Sequence, residues 1–138
     1  ATVAERHNLL QVEMKSQQQL LWFVRQTEAG KEQELQDSLN SMVTSSHFAI
    51  TDVSDSLCAL SLRGPSVRAV LAKGCGLDLH PDQFTAGQSA QSLLALSAVT
   101  LMAVADDAFI LICRTSFAPY VQRWLADAAL EYGYQYKA

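Results

Sequence analysis

The sequence predicts an α+β fold, one largely antiparallel sheet with helices covering one face, and three observations predict it. Short runs of large apolar side chains recur at residues 20–26, 48–53 and 57–62, then three times between residues 89 and 114. Apolar stripes with helical spacing interrupt them at residues 31–43, after Pro65 and after Ser116. The last three strand candidates follow one another directly, a segregated order that differs from the strict alternation of a parallel sheet.

The elements follow in order. Residues 1–19 are polar and glutamine-rich, so they are expected as a tail or a loosely docked helix ahead of a single domain over residues 20–138. LLWFVRQ, residues 20–26, is rich in strand-compatible side chains and stops at TEAG, a turn. In the next segment Leu35, Leu39, Met42 and Val43 fall on one helical stripe. Residues 48–53 and 57–62, separated by a short polar turn, read as a hairpin.

Gly64-Pro65 then ends a strand and opens a helix with Val67, Val70 and Leu71 on its buried side, because proline at a first helical position loses no needed N–H. Gly74 and Gly76 stand where that periodicity stops, as left-handed glycines that terminate a helix do. Residues 89–97, 99–104 and 108–114 form a meander with a turn at Ala105-Asp106-Asp107. Ser116 is the expected N-cap of a last helix that carries Phe117, Tyr120, Val121, Trp124, Leu125 and Ala128 and ends near Gly133. The whole pattern is that of a ferredoxin-like relative.

Composition narrows the function classes. A chain of 138 residues with 49% hydrophobic and 17% charged residues has an ordinary globular core. Its net charge of −4, with ten scattered Lys and Arg, lacks the basic stripe that a phosphate backbone requires, so no nucleic-acid partner is expected. No run approaches the roughly 18 apolar residues of a membrane span, and no basic flank precedes an apolar core at the N-terminus. The chain is expected to be soluble, unprocessed and cytoplasmic, the last because Cys58, Cys75 and Cys113 make an odd, dispersed set unsuited to a disulfide framework.

LAKGCGLDLHPDQF, residues 71–84, places Cys75, Asp78 and His80 within six positions. A zinc site needs about four ligands in paired spacings, and no second Cys/His pair exists, so the segment is read as a helix end with a buried cysteine and a surface histidine, not as a metal site. Cysteine nucleophiles are likewise set aside, since Cys58 and Cys113 lie inside strands. Asp52 and Asp55 straddle a turn, where their carboxylates are read as satisfying backbone N–H groups rather than as an acid–base pair, which requires a pocket. Arg63 and Arg114 both follow apolar strands, where a guanidinium grips a carboxylate or phosphate, or makes a local surface pair. Arg63, Arg114 and Asp52 are therefore the weak cofactor-binding candidates, and no residue is assigned a catalytic role.

Three segments in order, DVSDSLCALSLRGPSVRAVLAKGCGLDLHPDQF, GQSAQSLLAL and DDAFILICRTSFAPYVQRWLADAALEYG, resemble the gamma subunit family of heterotetrameric sarcosine oxidase. AKGCGLDLHPDQF and RTSFAPYVQRWL are the most specific parts. The resemblance implies a fold similar to the folate-binding module of aminomethyltransferases (the glycine cleavage T-protein). It also implies an accessory subunit, non-catalytic by itself, of a complex that demethylates sarcosine to glycine with transfer of the one-carbon unit to folate and formation of peroxide. Alpha and beta subunits are the implied partners and hold FAD, FMN, NAD and the folate site, while a delta subunit holds zinc. Folate-using relatives carry a pterin-contacting acidic residue where this chain reads SLLALSAVTLMAV, so folate binding is not carried over to it.

An accessory subunit needs an apolar docking surface, and Trp22, Phe23, Tyr134 and Tyr136, aromatic residues outside the main periodic stripes, are the interface candidates. The alternatives are a stand-alone folate-binding one-carbon carrier, with a pocket lined by Arg63, Arg114 or Asp52, and a self-associating homo-oligomer.

Overall fold

The three-dimensional structure, a computed structural model, describes residues 2–3, 8–16, 19–27, 31–42, 47–52 and 55–136. In chain order they form strands β1 (Thr2–Val3), β2 (Asn8–Ser16) and β3 (Gln19–Thr27), helix α1 (Glu32–Met42), strands β4 (His47–Asp52) and β5 (Leu57–Arg63), and helix α2 (Val67–Ala72). Strands β6 (Ser89–Leu94), β7 (Ser97–Ala105) and β8 (Ala108–Arg114) follow, then a 3₁₀ turn (Thr115–Phe117), helix α3 (Ala118–Ala128) and strand β9 (Gln135–Tyr136). The expected turn at residues 28–30 and Val43 of the first helical stripe lie outside the described residues.

The chain divides into two compact units, His7–Leu57 and Ala1–Arg6 with Cys58–Ala138. In the first, β2 lies between β3 and β4 and is antiparallel to both. Residues 8–16, expected within a polar tail, are thus the central strand of a sheet. The alternation of Leu10, Val12 and Met14 with polar neighbours is a period-two strand pattern that the glutamine-rich surroundings obscured. Helix α1 carries the predicted stripe, with Leu35 and Leu39 half-buried and Gln33 donating to Asp37 Oδ1 at 3.0 Å on the exposed side.

The second unit is built on a sheet in the order β6-β7-β8-β5-β1-β9. The meander forms, β7 antiparallel to β6 and β8, but its first turn falls at Ala95-Leu96 and not at residue 98 as expected. The Gly64 N–H donates to the Asp107 carbonyl at 2.9 Å, so β5 ends where β8 begins and the two run antiparallel. Strands β4 and β5 therefore do not pair as a hairpin: β4 joins β2 in one sheet and β5 joins β8 and β1 in the other. Core burial explains that choice, since Leu60 and Leu62 of β5 are 1% and 2% exposed beside Leu111 and Phe109 of β8.

Helices α2 and α3 close the same face of this sheet. Val67, Val70 and Leu71 of α2, the predicted stripe, and Val121, Leu125 and Ala128 of α3 meet Leu60, Leu62, Leu101 and Leu111 in one buried cluster. Each fully buried aliphatic side chain there contributes about 1.5–3 kcal/mol. The α+β class with a largely antiparallel sheet, parallel only where β1 meets β9, and helices on one face is the observed architecture.

Two helix ends differ from expectation. Neither Gly74 nor Gly76 takes the positive φ of a left-handed terminator, and α2 closes through Lys73, with Gly74 and Cys75 N–H both donating to the Leu71 carbonyl. Gly74 is required instead by Trp124 of α3, whose Cζ2 would lie 2.4 Å from an added Cβ. Ser116 does not cap α3 either; the 3₁₀ turn intervenes, Phe117 is the N-cap without a side-chain bond, and Pro119 sits in the first turn.

Candidate functional site

The stretch 71–84 folds as a pinned loop. Cys75 forms an antiparallel bridge with Leu94 of β6, and its Sγ lies 3.7 Å from Ser92 Oγ. Asp78 and His80 are exposed and organise a turn: the His80 N–H donates to Asp78 Oδ1 at 3.0 Å, and the Asp82 N–H donates to His80 Nδ1 at 3.2 Å. The three residues that suggested a metal are thus divided between a sheet edge and a surface turn. Among the described residues no group of three or more His, Cys, Asp or Glu is placed to hold a metal ion.

Arg68, which sequence reasoning did not single out, organises this loop. From α2 its Nη1 donates to the carbonyls of Leu79 at 2.7 Å and Phe84 at 2.9 Å, and its Nε donates to the Asp106 carbonyl in the β7–β8 turn at 2.8 Å. The guanidinium lies 5.0 Å from the centroid of the Phe109 ring, which stacks on Phe84 at 6.2 Å. One planar cation thereby fixes helix, loop and turn, a task that suits the guanidinium fork. Its sequence signal was weak, an arginine at an otherwise ordinary helical position.

Lys73 plays the matching part at the other end of the helices. Its Nζ donates to the Ala128 carbonyl at 2.6 Å, satisfying the C-terminus of α3, bonds Glu131, and stands 5.1 Å from the Tyr132 ring centroid. That hydrogen bond and the ammonium charge hold the Glu131 carboxyl below its usual range.

The three cysteines are unbridged. Counting back from the Gly64–Asp107 bond places Cys58 beside Cys113 on neighbouring strands, both on the helix-covered face. Burial, and then the neighbouring Cys58, push the Cys113 thiol up to about 11, so it stays protonated and non-nucleophilic at neutral pH.

The cofactor candidates are not brought together. Arg63 ends β5 opposite Thr2, beside the start of β8, whereas Arg114 ends β8; six strand steps place the backbones of these two exposed residues roughly 20 Å apart along the sheet. Asp52 ends β4, opposite Leu10, in the other unit.

Of the interface candidates, Trp22 and Phe23 take their places in β3 opposite Glu13 and Val12. Tyr134 and Tyr136 are 42% and 57% exposed. They continue an alternating run that begins at Leu130 and Tyr132, 66% and 47% exposed, with Gly133 at φ 75° turning the chain between them. The alternation in LEYGYQY was the sequence signal for Leu130 and Tyr132. A second exposed apolar site, Leu93 and Leu96 at the β6–β7 hairpin, is 56% and 85% exposed and had no comparable signal.

Comparison with known proteins adds four findings. The family model described as the sarcosine oxidase gamma subunit family matches residues 3–131. The chain is 31% identical to the sarcosine oxidase subunit gamma of Corynebacterium sp. strain U-96 over 71% of its own length and 48% of that protein's. With the Arthrobacter sp. subunit gamma it shares 31% identity over 60% of this chain and 41% of the other. The chain thus spans about half the length of the curated relatives it matches. In fold, it is similar to a chain of the heterotetrameric sarcosine oxidase from Corynebacterium sp. U-96, with a TM-score of 0.78, 19% identity, and coverage of 99% of this chain and 86% of the other.

Proposed function

The chain belongs to the sarcosine oxidase gamma subunit family, and we propose that it is the small accessory subunit of a heterotetrameric sarcosine oxidase, structural and without chemistry of its own. The observation that carries this reading is the family match over residues 3–131, which takes in both compact units. The chemistry of the described residues agrees with it. Cys113 is held as a thiol, Arg63 and Arg114 stand at opposite ends of the sheet, and Arg68 and Lys73 are engaged in fixing backbone.

On this reading the larger alpha and beta subunits hold FAD, FMN, NAD and folate, and a further small subunit holds zinc. The complex demethylates sarcosine in the cytoplasm, and this chain supplies surface. Exposed Leu93, Leu96, Leu130, Tyr132, Tyr134 and Tyr136 supply apolar area for such docking. No helix among the described residues is long and apolar enough to cross a membrane.

Co-expression of the tagged chain with the other three subunits of a bacterial sarcosine oxidase tests the proposal. The expected eluate is yellow and contains the larger chains in fixed ratio. A colourless eluate holding this chain alone rejects it.

A further inference from the structure

Among the described residues the β6 edge of the six-stranded sheet pairs with no further strand, and a bulge at Gly87-Gln88 opposite Ala103 guards only its first end. The Ala103 N–H donates to the Gln88 carbonyl at 2.9 Å, which, with the β6–β7 register, makes residues 88, 90, 92 and 94 the ones bonded to β7. Ser89, Gln91 and Leu93 accordingly aim their backbone N–H and C=O groups away from the sheet, and the side chains of all three are exposed. Among the described residues, the only backbone pairing on this outer edge is at Cys75, which bridges Leu94 while the Ala95 N–H donates to the Gly74 carbonyl at 2.9 Å. That bridge seals one end, with the Leu93 carbonyl turned toward Gly76, and leaves Ser89–Ser92 and the Leu93 N–H to pair.

Free edges ordinarily carry lysine, proline or a bulge that blocks pairing with another chain. SAQSLL has no charge and no proline, and its register against β7 is unbroken from Ser89 to Leu94. The hairpin beside it is held in a costly conformation, Ala95 at φ 51°, that leaves Leu96 85% exposed next to Leu93 at 56%.

We propose that this edge is completed in the assembly by an extended segment of a larger subunit, which adds as a strand along Ser89–Leu93 and covers Leu93 and Leu96. The inference rests on the accessory-subunit reading and names the surface that reading requires. Backbone groups repeating at strand spacing are matched in full only by another extended backbone, and the uncharged side chains select an apolar to weakly polar strand. A second copy is a poor occupant, because five residues a side fall far short of the roughly 20–30 residues a side of a stable interface, whereas a large subunit supplies further contact around the added strand.

The test is made in the co-expressed complex. Amide exchange at Ser89, Gln91 and Leu93 is expected to slow at least tenfold on assembly. Gln91→Pro, which removes an outward N–H without touching a bond to β7, and Ser89→Lys, which leaves the backbone alone, are each expected to weaken association at least tenfold while the isolated chain melts as the wild type does. Unchanged exchange, or both variants assembling like the wild type, overturns the edge proposal and leaves the subunit reading standing. A wild-type homodimer that Gln91→Pro dissolves overturns it in favour of a second copy. A wild-type chain that does not assemble overturns both.

Discussion

Gly74 and Trp124 are in a contact that leaves no room for a side chain between them, with Trp124 Cζ2 2.4 Å and Cη2 2.7 Å from where a Cβ on Gly74 would stand. The joint between α2 and α3 is set by this absence of a methyl group. Gly74→Ala is expected to cost about 1–3 kcal/mol through overpacking, and, because φ at Gly74 is not positive, none of that arises from backbone strain. Thermal or urea unfolding checks it. In a double-mutant cycle with Trp124→Phe, the two losses are expected to be less than additive, since the smaller ring relieves the clash.

Arg68 holds the 79–84 loop by its carbonyls. Arg68→Met keeps much of the stem packing but leaves buried carbonyls without donors, an expected loss of about 1–3 kcal/mol for each one orphaned. Arg68→Lys is expected to recover less than half, because one ammonium cannot reach Leu79, Phe84 and Asp106 in a plane. Amide exchange at Gln83 and Phe84, whose N–H groups both donate to the His80 carbonyl, should rise in both variants.

Much of this architecture was legible in the sequence, and the exceptions have physical causes. The stripe of Val67, Val70 and Leu71 and the meander from Ser89 to Arg114 showed because burial periodicity is a local signal. The turn at Ala95-Leu96 did not, because neither residue is a turn former; Ala95 reaches φ 51° under constraint from the Leu94–Ser97 pair and the bond to Gly74. The separation of β4 from β5 was hidden because strand partners are chosen by tertiary burial, which a polar turn between two apolar runs does not reveal. Of the candidate site residues, Tyr134 and Tyr136 are exposed as an interface requires, but the long-range partners of Arg68 had no sequence signature.

Glu131 gives the chain an acid-side dependence. Its carboxyl is held low in the folded state by the Lys73 hydrogen bond, so its contribution is present above the unfolded-state value and is lost as pH falls through the folded one. Both groups are exposed enough to be screened, so the effect is small and falls with salt. Glu131→Gln is expected to flatten the fall in melting temperature with acidification relative to the wild type.

Cys113, 2% exposed with its thiol raised to about 11, is expected to resist a small alkylating reagent at neutral pH until the chain unfolds. Mass spectrometry after timed labelling checks this. Modification of Cys113 in the folded chain would show that the helix-covered face opens.

Docking onto flavin-carrying subunits, the role proposed for this chain, is read out by light scattering coupled to size exclusion with flavin absorbance recorded on the same peak. The chain co-expressed with the other subunits is expected to elute with them in one coloured peak whose mass accommodates one copy of each. The chain eluting apart from the flavin absorbance, at the mass of a monomer or of its own oligomer, would contradict it.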